Sequence, residues 1–289
     1  MNKPCRYTPP FIVFLGLLLA ASACTDNPFE SDPTVAASKR RIRGTVRLSD
    51  RADYSGAYIW MEGFDLGTVT KPDGSFSLTL PPVGMQSTPG GNEGAFRLYA
   101  FLGNYRMQNV RTAVHDGTFV FPSTDVDEDG NIHEDLFLQE LFSITTNLSR
   151  GSIEADSPRV LSIEVILRSS VPPVEVYYPR MVGAIEGPLL LHNLGTGEVE
   201  IFKSTVTGVE ISDYVEIGPV AYSRSMILNI PKYKLQAGEY EIIPYLLPRD
   251  RNMPYGLLAS LGTDISAMST QYVYYPFLRQ GGRLRVEAN

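Results

Sequence analysis

An all-β chain of two tandem β-sandwiches, Ig-like or transthyretin-like, is the fold class this sequence predicts, on three observations. Apolar and polar residues alternate with period two over many short runs. Those runs are bounded by turn signals supplied by 25 Gly and 21 Pro in 289 residues. The one stretch with helical character, Pro254 to Gly262, is short enough to be a cap or a connection. With 43% hydrophobic and 20% charged residues the chain has the apolar material for sizeable cores, which excludes disorder and collagen. A net charge of −7 argues against a nucleic-acid partner, because duplex binding draws its affinity from basic groups that neutralise phosphates.

The first element is an address. Lys3 and Arg6 precede an apolar run from Phe11 to Leu19, and Ala20-Ala21-Ser22-Ala23-Cys24 closes it with small residues. The run is shorter than the roughly 20 residues a membrane-crossing helix needs, so residues 1–23 read as a cleaved signal. Ala-Ser-Ala directly before Cys24 resembles the bacterial lipobox, with Ala21 where Leu is usual. The resemblance implies that Cys24 becomes an acylated first residue and anchors the protein in a membrane. Acylation also accounts for a lone cysteine, since Cys5 leaves with the signal and no disulfide partner remains. Cleavage removes two of the 25 basic residues and none of the 32 acidic ones, so the mature net charge is −9. Residues 24–39 are polar and Pro-punctuated and read as a flexible tether. No Asp follows Cys24, where it would resemble an inner-membrane retention signal, so outer-membrane residence is expected, facing the periplasm or the cell surface.

Residues 40–142 read as the first sandwich. Ile42, Gly44, Val46 and Leu48 share one strand face and Arg41, Arg43, Thr45 and Arg47 the other. Ala57, Ile59 and Met61 alternate with Tyr58, Trp60 and Glu62. Lys71-Pro72-Asp73-Gly74 predicts a tight reversal joining Gly67–Thr70 to the strand Ser75–Leu80 as a hairpin. These segments, Ile42-Arg-Gly-Thr-Val, Gly56-Ala-Tyr-Ile-Trp-Met and Thr68-Val-Thr-Lys-Pro-Asp-Gly-Ser-Phe-Ser-Leu-Thr-Leu-Pro, resemble the carboxypeptidase regulatory-like domain over residues 40–84. That family is similar to transthyretin and starch-binding modules, which implies a non-catalytic accessory sandwich. No His-x-x-Glu follows His115, His133 or His192, so peptidase chemistry is not implied. A Gly-rich loop, Gln86 to Gly94, precedes the next strand at Phe96–Phe101. A linker expected at about Ser149–Pro158 separates residues 150–289, a second sandwich with strands at Val160–Leu167, Val174–Tyr178, Glu198–Phe202, Met226–Ile230 and Gly238–Leu247.

Three constellations carry candidate chemistry. Asp125, Asp127 and Asp129, with Gly130 at the sixth place, begin like a calcium loop, although the twelfth place is Leu136; the other reading is an acidic turn. Tyr58 and Trp60, two residues apart on one strand face, could stack on sugar rings or meet a partner protein. The commoner fate of a Trp is burial in a core or an interface. Tyr177, Tyr178, Tyr272, Tyr274 and Tyr275 invite the same two readings. Lys39, Arg40, Arg41 and Arg43 either face lipid phosphates or guard a strand edge. No Gly-x-Ser-x-Gly, His-Glu-x-x-His, phosphate loop or Cys/His cluster is present, so no catalytic residue and no resident cofactor is expected. The sequence therefore predicts a non-catalytic envelope lipoprotein that binds a glycan or an envelope protein. The alternative is a glycan-acting hydrolase, or an accessory subunit of one.

Overall fold

In the computed structural model the described residues are 38–87, 91–155, 160–169, 173–181, 188–202, 210–211, 214–229, 235–249 and 252–288. The signal run, Cys24 and the tether up to residue 37 lie outside them. The described chain is built of strands in several sheets, as the period-two alternation predicts.

The first sandwich opposes two sheets. One orders β4 (Ser75–Thr79), β1 (Arg41–Leu48) and β8 (Leu136–Leu138). The other orders β3 (Leu66–Val69), β2 (Tyr58–Met61), β5 (Gly94–Phe101), β6 (Gln108–His115) and β7 (Thr118–Phe119). Ile42, Val46, Phe76 and Leu78 of the first meet Ile59, Met61, Leu98 and Ala100 of the second in one buried cluster. Each strand contributes alternate residues, because successive side chains leave a pleated strand on opposite faces.

Two sequence expectations change here. The reversal at Lys71–Gly74 forms, with the Gly74 N–H on the Lys71 carbonyl at 2.8 Å and Gly74 at φ +81°. It does not make a hairpin, however. β4 pairs with β1 from Arg41↔Thr79 to Thr45↔Ser75, while β3 pairs with β2, so the turn carries the chain from one sheet to the other. Nor is β1 an edge. Antiparallel β4 covers one side, and parallel β8, from Val46↔Leu136 to Leu48↔Leu138, covers the other.

The stretch expected as a linker also differs. β9 (Ser143–Leu148) pairs antiparallel with β11 (Val160–Arg168), and β10 (Ser152–Glu154) pairs parallel with β22 (Arg283–Glu287). The described residues of the stretch expected as a linker therefore belong to the second sandwich, and the crossing lies at 139–142. The polar composition there reflects exposed strand faces, not a free connection.

The second sandwich faces a sheet ordered β10, β22, β19 (Gly238–Pro244), β14 (Leu189–Asn193) and β15 (Val199–Phe202) against one ordered β18 (Tyr222–Asn229), β11, β9 and β21 (Gln280–Gly281). Leu161, Ile163, Val165 and Leu167 of β11 join Leu189–Leu191, Ile242 and Leu284 in its core. A smaller sheet orders β17 (Tyr214–Ile217), β12 (Val174–Tyr177) and β20 (Leu247–Pro248), and β13 (Arg180–Met181) pairs antiparallel with β16 (Glu210–Ile211). The short helix α1 (Tyr255–Ala259) begins after Pro254, which suits a first-turn boundary, and buries Leu257.

Candidate functional site

The sites follow from how the two sandwiches meet. All four residues of β2 are buried, although a strand in a two-layer sandwich has only one inward face. Ile59 and Met61 point into the first core. Tyr58 and Trp60, with Tyr99 and Phe101 on β5, point into the core of the second sandwich. Trp60 and Tyr99 are tilted with ring centroids 5.8 Å apart, and Phe101 meets Tyr275 edge-on at 5.8 Å. Tyr58 Oη and Ser260 Oγ are 2.9 Å apart, and Gly256 of α1 lies so close that a Cβ there would stand 2.9 Å from the Trp60 ring. The glycan-stacking role of Tyr58 and Trp60 is thereby corrected. At 8% and 4% exposure neither ring offers a face to a sugar, and both are domain-interface packing. The period-two spacing placed them on one face, and the second sandwich covers that face. Of the other tyrosines, Tyr178, Tyr272 and Tyr275 are buried, whereas Tyr274 is exposed.

The junction is fixed by Gly103 and Asn104. The Gly103 N–H donates to the Pro276 carbonyl at 2.6 Å, and a Cβ on Gly103 would meet the Tyr275 and Phe277 rings at 2.6 and 2.7 Å. Asn104, 1% exposed, donates from Nδ2 to the Phe142 and Leu278 carbonyls and accepts the Leu278 N–H on Oδ1. Burying an amide is tolerable because it is satisfied in this way.

A cleft of about 300 Å³ opens beside this junction, lined among others by Phe101, Tyr105, Arg106, Leu141, Arg249 and Met253. Arg249 Nη1 bonds both oxygens of Glu175 at 2.8 Å. At the rim Tyr105 donates to Asp50 Oδ1 at 2.6 Å, and Arg51 donates from Nε and Nη2 to Asp50 Oδ2 at 2.9 and 2.7 Å. Burial works to raise the Asp50 pKa, but the bonds from Arg51 and Tyr105 outweigh it and hold the carboxyl below its ordinary range. Glu140 moves the other way, raised first by burial and then by the charge of Asp50. Two carboxylates with diverging titration are what general acid–base chemistry requires. Both oxygens of Asp50 are already occupied, however, so this cluster anchors the buried Tyr105. No motif announces it, because Asp50 and Glu140 come from opposite ends of the first sandwich.

Asp125, Asp127 and Asp129 do not converge. Asp125 Oδ2 accepts the Arg111 N–H at 2.7 Å. Asp127 accepts the N–H groups of Asn131 and Asp129 at 2.7 and 2.9 Å together with the Asn131 amide, and those bonds lower its pKa. Among the described residues no group of three or more His, Cys, Asp or Glu is placed to hold a metal. Gly130 serves the fold instead: at φ +80° it lies against β1, where a Cβ would stand 2.6 Å from the Arg41 carbonyl oxygen. In the structure this segment is a self-capped turn.

No helix among the described residues is long and apolar enough to cross a membrane. No family model and no curated protein matches the chain. Among solved structures it is similar to the crystal structure of BcpA, the major pilin subunit of Bacillus cereus, with 11% identity, 75% of this chain covered and a TM-score of 0.19. The match spans 60% of that pilin's length, and a likeness at this score carries no functional argument.

Proposed function

We propose that this chain is a non-catalytic envelope lipoprotein, anchored in the outer membrane through Cys24, whose two sandwiches act as one rigid binding or structural body. The observation that carries the reading is Cys24 behind a short apolar run and Ala-Ser-Ala. Several acyl chains hold far more firmly than the marginal binding of one, since each buried methylene contributes about 0.8 kcal/mol. The shared core supports the rigid-body part, because Tyr58, Trp60, Tyr99 and Phe101 fill the second sandwich's core from the first. The resemblance of residues 40–84 to carboxypeptidase regulatory-like domains supports an accessory role.

A glycan hydrolase would need two carboxylates facing one cleft. Of the two neighbouring acids at the junction, Asp50 has both oxygens bound within the protein. A partner protein fits this molecule better than a stacked sugar, since the rings at Tyr58 and Trp60 are enclosed. Fatty-acid labelling tests the anchor. Wild type is expected to carry label and sediment with the envelope, whereas Cys24→Ala loses both. A Cys24→Ala protein still held in the membrane would overturn the anchor.

A further inference from the structure

We propose that the outward face of β1 and β4, centred on Arg41 and Arg43 with Lys71 beside them, is a docking surface for the phosphates of an anionic lipid leaflet. Edge protection does not explain the charge at Arg43, because its backbone pairs with β4 on one side and is bonded by Gly130 and Ile132 on the other. Ion pairing does not explain them either. Arg47 on the same face is held by Asp135, and Arg40 donates to the Leu80 carbonyl at 3.1 Å. Arg41, Arg43 and Lys71 have no ion pair among the described residues.

The surroundings suit phosphate oxygens. The strand register sets Arg41 beside Thr79, Arg43 beside Ser77 and Thr45 beside Ser75, so cations alternate with hydroxyls on one face. An open groove of about 500 Å³ runs there, with Lys71 and Asn131 at its sides. Of the nearby acids, Asp73 accepts the Ser75 N–H and Asp127 caps the turn at Asn131. On a chain of net charge −7, such a patch determines which side faces an anionic surface. A leaflet is the occupant because the chain reaches Arg41 directly from residues 24–37. An anchor at Cys24 would hold this face within a tether's length of the lipid and turn a weak attraction into an intramolecular one. The choice of a leaflet rests on the proposed anchor at Cys24, whereas the attraction of this face for anionic phosphates does not.

The test therefore removes the anchor. The chain from Thr25 to Asn289 contains every described residue and lacks both the apolar run and Cys24. It is expected to float with vesicles of phosphatidylcholine mixed with phosphatidylglycerol and not with phosphatidylcholine alone. At about fivefold per basic residue, Arg41→Gln/Arg43→Gln/Lys71→Gln should weaken partitioning by roughly a hundredfold. Salt near ~1 M should abolish binding, as the screening length falls to about 3 Å. Arg97→Gln/Arg111→Gln/Arg283→Gln removes equal charge elsewhere and should leave binding intact. Equal binding to neutral vesicles, an unaffected first triple variant, an equal loss in the second, or release by millimolar inorganic phosphate would each overturn the leaflet as occupant. The same chain still binds if Cys24 proves unacylated, so failure of the anchor and failure of this surface are distinguishable.

Discussion

Strands β1 and β2 belong to the same sandwich and share the same alternation, yet they end in opposite environments. β1 buries Ile42, Val46 and Leu48 and leaves Arg41, Arg43 and Arg47 exposed. β2 buries every residue, because the second sandwich lies on its outer face. A two-layer domain thus becomes three-layered along β2 and β5 and stays two-layered along β1. The apolar outer face of β2 is what a permanent neighbour selects, and the cationic outer face of β1 is what solvent or a charged surface selects.

The largest expected effect is at Trp60. Trp60→Ala should cost about 3–5 kcal/mol, the range for removing a buried large aromatic, and urea should reveal a single transition for the whole chain. Two separate transitions, with the second sandwich unaffected, would show that the interface is only a contact between independent domains. Next is Gly103→Ala, whose methyl group must displace Tyr275 or Phe277; overpacking of this kind costs about 1–3 kcal/mol. Gly84→Ala, with nothing within 4 Å of a Cβ, is the matched control and should change little. Differential calorimetry of the pair measures the difference.

The pH response is smaller and has opposite signs at the two carboxylates. The Asp50 pKa is depressed in the fold, so its contribution is present above its ordinary value of 3.8 and lost as pH falls through the folded value. Asp50→Asn should remove that acid-limb loss and lower stability at neutral pH. Glu140 is raised, so its contribution is present below 4.5 and lost as pH rises through the folded value. Glu140→Gln should therefore stabilise the protein at neutral pH, and denaturant midpoints across pH 3 to 8, roughly the carboxylate range and above, would show the two variants diverging. Smallest of all is Arg41→Gln/Arg43→Gln, which should alter stability by no more than about 0.5 kcal/mol, since both side chains are exposed and unpaired. A larger loss would give that face a structural role and weaken its assignment as a docking surface.

What was legible in the sequence was local. The pleat alone places Tyr58 and Trp60 opposite Ile59 and Met61, and the Arg side of β1 opposite its apolar side, because side-chain direction follows backbone period. The turn at Lys71–Gly74 was equally legible, since Pro and Gly fix its dihedrals. Partnership was not legible. Whether β4 joins β3 or β1 and whether Asp50 meets Tyr105 are settled by segments far apart in the chain competing to bury apolar area and satisfy polar groups. Trp60 shows the division most clearly. Its neighbours in sequence determine the face it occupies, and only the folded second sandwich, bringing Gly256 and Ser260 against that face, determines that it is enclosed.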